Sequence, residues 1–149
     1  MRRTEPCLLL AVLTVLALLW ADGALAQAKR PIVLLFDDQE RLKEKRADTN
    51  GDGRYDEFIY YVEGNPDRAE QDTNHDGNND TTIRFGPDAK PLLQERDTNA
   101  DGRTDQWIDF EAGLPKLQRD DHNFDGKADS SIEFQAGVPL RKEEDVNFD

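Results

Sequence analysis

Four nine-residue segments of one pattern could do chemistry in this chain. Asp48, Asn50, Asp52, Gly53 and Asp56 spell D-x-N-x-D-G-x-x-D. The pattern returns at Asp72, Asn74, Asp76, Gly77 and Asp80, at Asp97, Asn99, Asp101, Gly102 and Asp105, and at Asp121, Asn123, Asp125, Gly126 and Asp129. The steps between copies are 24, 25 and 24 residues, and Asp145 to Asp149 begins a fifth. Oxygen donors at positions 1, 3, 5 and 9 suit a hard cation that takes six to eight oxygens, and calcium is that cation. Position 7 offers a backbone carbonyl, so Arg54, Asn78, Arg103 and Lys127 need not be acidic there. Position 6 is always glycine, which permits the sharp turn such a loop makes. Three carboxylates brought together without a cation would repel one another. Asp, Asn and Gly are also ordinary turn residues, so a single copy could be a solvated turn. Four copies in register favour calcium.

Fixed periods of this length signal a repeat architecture. Three residues after each loop's last Asp stands an isoleucine: Ile59, Ile83, Ile108 and Ile132. Two further on stands an aromatic: Tyr61, Phe85, Phe110 and Phe134. Apolar residues at i and i+2 read as a strand with one apolar face. Glycine and proline then mark a turn, and a second short segment leads to the next loop: 68–71, 92–96, 117–120 and 140–144. Residues 31–36 and 41–47 read as the same hairpin without a loop before it. The expected fold is therefore all-β, a repeat meander of short antiparallel hairpins with calcium-type loops along one edge. Residues 27–47 form an N-terminal capping hairpin and 48–149 the repeat domain. The Ile and aromatic stripe should be mostly buried, either because the sheet curls to pack it on Leu42, Leu92, Leu117 and Leu140 or because a second molecule covers it; curling is favoured, since those leucines recur once in most repeats. Trp107, on the other face, should be partly exposed.

Residues 1–26 read as a signal peptide rather than structure. Arg2 and Arg3 precede an apolar run from Cys7 to Trp20, and Ala24 and Ala26 supply small residues before a cleavage point at Gln27. Fourteen apolar residues fall short of the roughly 20 that span a bilayer. The product is expected to be exported, periplasmic or secreted, with no membrane span after cleavage. Cys7 is the only cysteine and leaves with the signal, so no disulfide holds the remainder. What remains is about 29% apolar and about 38% charged, against roughly 45–50% and 25% in ordinary domains. A large oily core is excluded. The net charge of −13 repels phosphates and excludes a nucleic-acid partner.

An EF-hand needs a bidentate Glu at position 12 and helices on both sides. Position 12 here is Ile59, Ile83, Ile108 or Ile132. The loops resemble instead those of thrombospondin type 3 repeats and the loop-then-strand calcium motif of integrin-type propeller blades. The chain is also similar to exported bacterial calcium-binding-like proteins built from such repeats with an aromatic strand after each loop. The resemblance covers residues 48–149 and implies that Asp56, Asp80, Asp105 and Asp129 complete the coordination. It departs in lacking the thrombospondin cysteines and in a repeat shorter than a propeller blade.

The expected function is non-enzymatic calcium binding that rigidifies an exported scaffold. The alternatives are a binding or adhesion module whose aromatic face holds a protein or glycan, and an EF-hand-type sensor. Ser130, Ser131, His75 and His122 are the only serines and histidines, a poor supply for a nucleophilic triad and too few His for a usual catalytic zinc site.

Overall fold

The computed structural model describes residues 31–146. The expected signal peptide, the first residues of the cap and the last three residues of the fifth loop lie outside the described residues. Ten strands run in sequence order through one antiparallel sheet. They are β1 (Ile32–Phe36), β2 (Leu42–Ala47), β3 (Glu57–Val62), β4 (Asn65–Gln71), β5 (Thr81–Phe85), β6 (Pro91–Arg96), β7 (Gln106–Glu111), β8 (Leu114–Asp120), β9 (Ser130–Gln135) and β10 (Val138–Glu144). The all-β meander expected from the sequence is present. Among the described residues no helix is long and apolar enough to cross a membrane.

A meander sends every second connection to the same end of the sheet. The D-x-N-x-D-G-x-x-D segments join β2 to β3, β4 to β5, β6 to β7 and β8 to β9, so all four lie along one end. The hairpin turns lie along the other. Three turns have two residues, Glu63-Gly64, Ala112-Gly113 and Ala136-Gly137, and both residues of each have φ between +51° and +84°. Two positive φ angles in succession give the turn whose twist matches the flanking strands. The remaining two turns are longer: Gly86 N–H donates to the Lys90 carbonyl at 2.8 Å and Asp37 N–H to the Arg41 carbonyl at 2.9 Å. The longer turn at Gly86 lies within the one 25-residue step, so the extra residue is absorbed at the turn end.

Each return strand starts earlier than its sequence suggests. Pro66, Pro91, Pro115 and Pro139 lie inside strands, paired with Tyr61, Phe85, Phe110 and Phe134. Beside each pair the register slips by one residue, leaving Asp67, Leu92, Lys116 and Leu140 as the extra residue of a bulge. Bulges tolerate the missing proline N–H that an unbroken ladder would not.

Paired residues share a face. One row crosses the sheet as Leu34, Lys45, Ile59, Ala69, Ile83, Gln94, Ile108, Gln118, Ile132 and Lys142. The aromatics lie two residues from the isoleucines on the same face, as expected. Phe58, Tyr60, Thr82, Arg84, Trp107, Asp109, Ser131 and Glu133 occupy the other face, where Arg68 stacks 4.7 Å from the Tyr60 ring centre and Arg119 6.0 Å from that of Trp107. Arg119 also pairs with Asp109 at 3.0 Å and Arg68 with Glu70 at 2.9 Å. Exposed pairs of this kind contribute at most about 1 kcal/mol each.

The expected curl is absent. Among the described residues every extensive contact between strands joins consecutive ones, so the sheet is a single open layer. The isoleucines and aromatics are half-buried rather than buried, and among the described residues Ala47 and Ala69 alone form the buried apolar set. The leucines cannot cover the stripe for a definite reason. Leu92 and Leu140 are bulge residues, 50% and 65% exposed. Leu117 pairs with Asp109 on the opposite face. Leu42 does meet an aromatic, but it is Phe36 of the cap. One inserted residue reverses the phase of everything after it. Trp107 is half-exposed, as expected.

Candidate functional site: the acidic loops

Among the described residues burial is concentrated at the loop end, and most of the buried residues are acids. Asp48 is 1% exposed, and Asp56, Asp72, Asp80, Asp105, Asp121 and Asp129 are also buried; Asp97 is half-buried. These are positions 1 and 9 of the pattern. The backbone ties them together. The position-9 N–H donates to the carbonyl just before position 1, as from Asp56 to Ala47 at 2.9 Å, which closes each loop. The next loop's position-1 N–H donates to the position-9 carbonyl, from Asp72 to Asp56, Asp97 to Asp80, Asp121 to Asp105 and Asp145 to Asp129. Asp48 makes the same bond to Pro31, at 3.1 Å.

Buried carboxylates need donors, and the loop backbone provides them. At position 1, Asp48, Asp72, Asp97 and Asp121 accept from the position-6 glycine N–H at 2.9, 2.8, 2.7 and 2.7 Å. At position 9, Asp56 accepts from Thr49 N–H at 2.9 Å and Asn50 N–H at 3.3 Å, and Asp80 from Thr73 N–H at 2.8 Å and Asn74 N–H at 3.1 Å. Asp105 accepts from Thr98 N–H at 3.0 Å, and Asp129 from His122 N–H at 2.7 Å. Burial is the largest influence on Asp56 and Asp80 and works to raise them. Hydrogen bonds from Thr49 and Asn50 to Asp56, and from Thr81, Thr73 and Asn74 to Asp80, outweigh it and hold both carboxyls below the usual range; the charge of His75 adds to this at Asp56.

Positions 3 and 5 are exposed and wired in sequence. Asn50, Asn74, Asn99 and Asn123 each accept the position-5 N–H on Oδ1 at 2.8–2.9 Å. Asp52, Asp76, Asp101 and Asp125 each accept the N–H of position 7, from Arg54, Asn78, Arg103 and Lys127, at 2.8–2.9 Å. These successive side-chain turns draw the oxygens of positions 1, 3 and 5 toward the loop backbone. Every one has lone pairs beyond the bonds named, since an ionised carboxylate offers about four acceptor sites and an amide oxygen about two. The second and third loops also share a cleft lined by Asp76, Asp80, Asp97 and Asp101 with Asn74 and Asn78.

Among the described residues no three His, Cys, Asp or Glu side chains converge closely enough to hold a metal by themselves. The donor set nevertheless suits calcium better than a softer ion. It consists of oxygens alone, and a six- to eight-fold shell draws on amide and carbonyl oxygens as well as carboxylates.

Three features lay beyond the sequence reading. Position 4 is left-handed in all four loops: Gly51, His75, Ala100 and Phe124 have φ of 83°, 61°, 62° and 61°. Only the first is glycine, which is the one signal the sequence offered. His75 Nδ1 lies 3.5 Å from Asp56 of the preceding loop. Ser130 Oγ lies 3.3 Å from His122 Nε2. That pair does not make a nucleophile, because Ser130 is 5% exposed and its Oγ also lies 3.5 Å from Asp120; an attacking oxygen must reach its substrate.

No protein-family model and no curated protein matches this chain. Among solved structures it is similar to a chain in the crystal structure of a GtfA/B complex bound to UDP and GlcNAc, with 12% identity and a TM-score of 0.48. The match covers 80% of this chain and a quarter (25%) of that one. At that level the likeness carries no argument about activity.

Proposed function

We propose that the chain is a non-enzymatic calcium-binding repeat protein, exported by its leader, in which each acidic loop takes one calcium ion and the ions stiffen a scaffold. The observation that supports this most directly is the identical arrangement of oxygens in four loops, with positions 1, 3 and 5 drawn toward the backbone by the same hydrogen bonds. The ligands in each loop are the side chains of positions 1, 3 and 5, the position-7 carbonyl and the position-9 carboxylate. In the first loop these are Asp48, Asn50, Asp52, Arg54 and Asp56. Position 9 has a second task, since its bonds to the N–H groups of positions 2 and 3 keep the loop shut with or without an ion. The EF-hand reading is set aside because strands, not helices, flank every loop.

Calorimetric titration of the chelated chain tests this. Calcium should release heat over up to four sites, and magnesium should bind far more weakly because it demands a tighter octahedron. Asp101→Asn keeps the shape of position 5 but removes its charge, and should weaken binding at the third loop alone. No calcium heat from the wild-type chain would overturn the proposal.

A further inference from the structure

A single-layer sheet whose own interior is two alanines leaves its apolar face without a cover. That face carries Ile59, Ile83, Ile108 and Ile132 in one row and Tyr61, Phe85, Phe110 and Phe134 in the next. Its most exposed members are on β1, where Ile32, Leu34 and Phe36 are 62%, 48% and 58% exposed. We propose that a second copy of this chain covers this face, so that two sheets pack with their isoleucine rows together as a two-layer sandwich.

Three observations choose a second copy over another occupant. The first is charge. The chain carries −13 overall, yet the paired positions of this face hold Lys45, Arg96 and Lys142 against Glu57, Asp120 and Glu144. Three basic residues offset three acidic ones, so the face is neutral overall. The second is size. Ten strands at about 4.8 Å, each about 17–20 Å long, present on the order of 800–1,000 Å². Stable specific pairs bury roughly 800 Å² on each side. The third is the position of the remaining charge, which is concentrated in the loops at one end. A two-fold axis along the row of isoleucines sets each strand over its own copy and reverses it. Lys45 and Lys142, which share that row, approach their own copies as ion pairs with Glu57 and Glu144 rather than as bare charges. The two acidic ends then lie at opposite edges of the sandwich, a strand length of about 17–20 Å apart, which is about two Debye lengths at roughly 8 Å. An axis parallel to the strands would stack them together.

Cross-linking tests the geometry without disturbing the fold. In a Cys7→Ser background, Gln94→Cys places a thiol on the isoleucine row and Glu95→Cys places one on the opposite face. A bis-maleimide about 10 Å long, the spacing of packed sheets, should join Gln94→Cys chains into dimers and leave Glu95→Cys chains single. Sedimentation of the wild-type chain should give twice the chain mass. Ile83→Lys with Ile108→Lys should halve it while the far-ultraviolet β signal remains; if that variant unfolds, the cross-linking pair still decides. A wild-type monomer at high micromolar concentration leaves the face to some other occupant and overturns the proposal. So does a dimer linked through Glu95→Cys, or one that protects only the β1 edge from hydrogen exchange.

Discussion

Removing a single buried carboxylate should separate the two kinds of acid in these loops. Asp80 accepts from Thr73 N–H and Asn74 N–H, from the Thr73 hydroxyl at 2.8 Å and from the Thr81 hydroxyl at 2.7 Å. Asp76, four residues earlier, is exposed and accepts from Asn78 N–H at 2.8 Å and the Asn78 and Asn74 side-chain amides at 3.1 and 3.2 Å. Hydrogen bonds to a charged group contribute about 1.5–3 kcal/mol each. Thr73 and Asn74 are themselves exposed, so water recovers part of what Asp80→Ala removes, and the net loss should be about 2–3 kcal/mol. Water recovers most of what Asp76→Ala removes, leaving a loss of about 0.5–1 kcal/mol. The difference corresponds to roughly a thirtyfold change in local opening. Amide exchange in a chelator reads it with no ion present: the Thr81–Phe85 amides should exchange about thirty times faster in Asp80→Ala than in Asp76→Ala. Equal acceleration in the two variants would refute the assignment of position 9 as the closure of the loop.

Other perturbations reach different parts of the molecule. Ala100→Gly should stabilise the chain by about 0.5–1 kcal/mol in denaturant melts, because a left-handed residue costs roughly 1–2 kcal/mol and glycine returns part of that as unfolded-state entropy. Ala112→Asn should add a few tenths of a kcal/mol by placing Asn-Gly in a turn that prefers it, which thermal melts can detect. Asp37 is held below the ordinary carboxylate value of 3.8 by the Arg41 N–H first of all, against an opposing effect of burial, with the Arg41 side chain and Gln39 N–H assisting. Its folded value is the lower one, so its contribution is complete above 3.8 and is lost as pH falls through that folded value; Gln39 and Arg41 amide shifts should titrate there, and in Asp37→Ala they should not.

The sequence made the loops and the odd-numbered strands legible because both depend on local chemistry. Oxygen donors at alternate positions and an aliphatic two residues before an aromatic are short-range signals, and β3, β5, β7 and β9 lie where those signals put them. The even-numbered strands were only partly legible. Pro66, Pro115 and Pro139 read as the end of a turn, yet each sits within its strand opposite an aromatic, tolerated by the bulge beside it. That bulge is a property of the pairing and leaves no mark in one strand's composition. The same missing residue count misdirected the packing of Leu92, Leu117 and Leu140. At the loops, the pattern identified positions 1 and 9 but not their distinct environment. Their burial arises from the bonds that tie each loop to the next, which join residues sixteen or seventeen apart, such as Asp56 to Asp72 and Asp80 to Asp97.

The two ends of the sheet tolerate change very differently. At the loop end every unit is fastened to the next through Asp backbones, so an added residue there would break a fastening on each side of it. At the turn end the connection from Gly86 to Lys90 already holds more residues than its neighbours, while the Asp97 to Asp80 bond remains at 2.8 Å. Asp88 and Ala89 are exposed at the tip of that connection. A foreign peptide grafted between them would be displayed at one edge of a ruled surface, at a fixed spacing from any peptide grafted at Ala112 or Ala136, and the acidic loops would remain in phase.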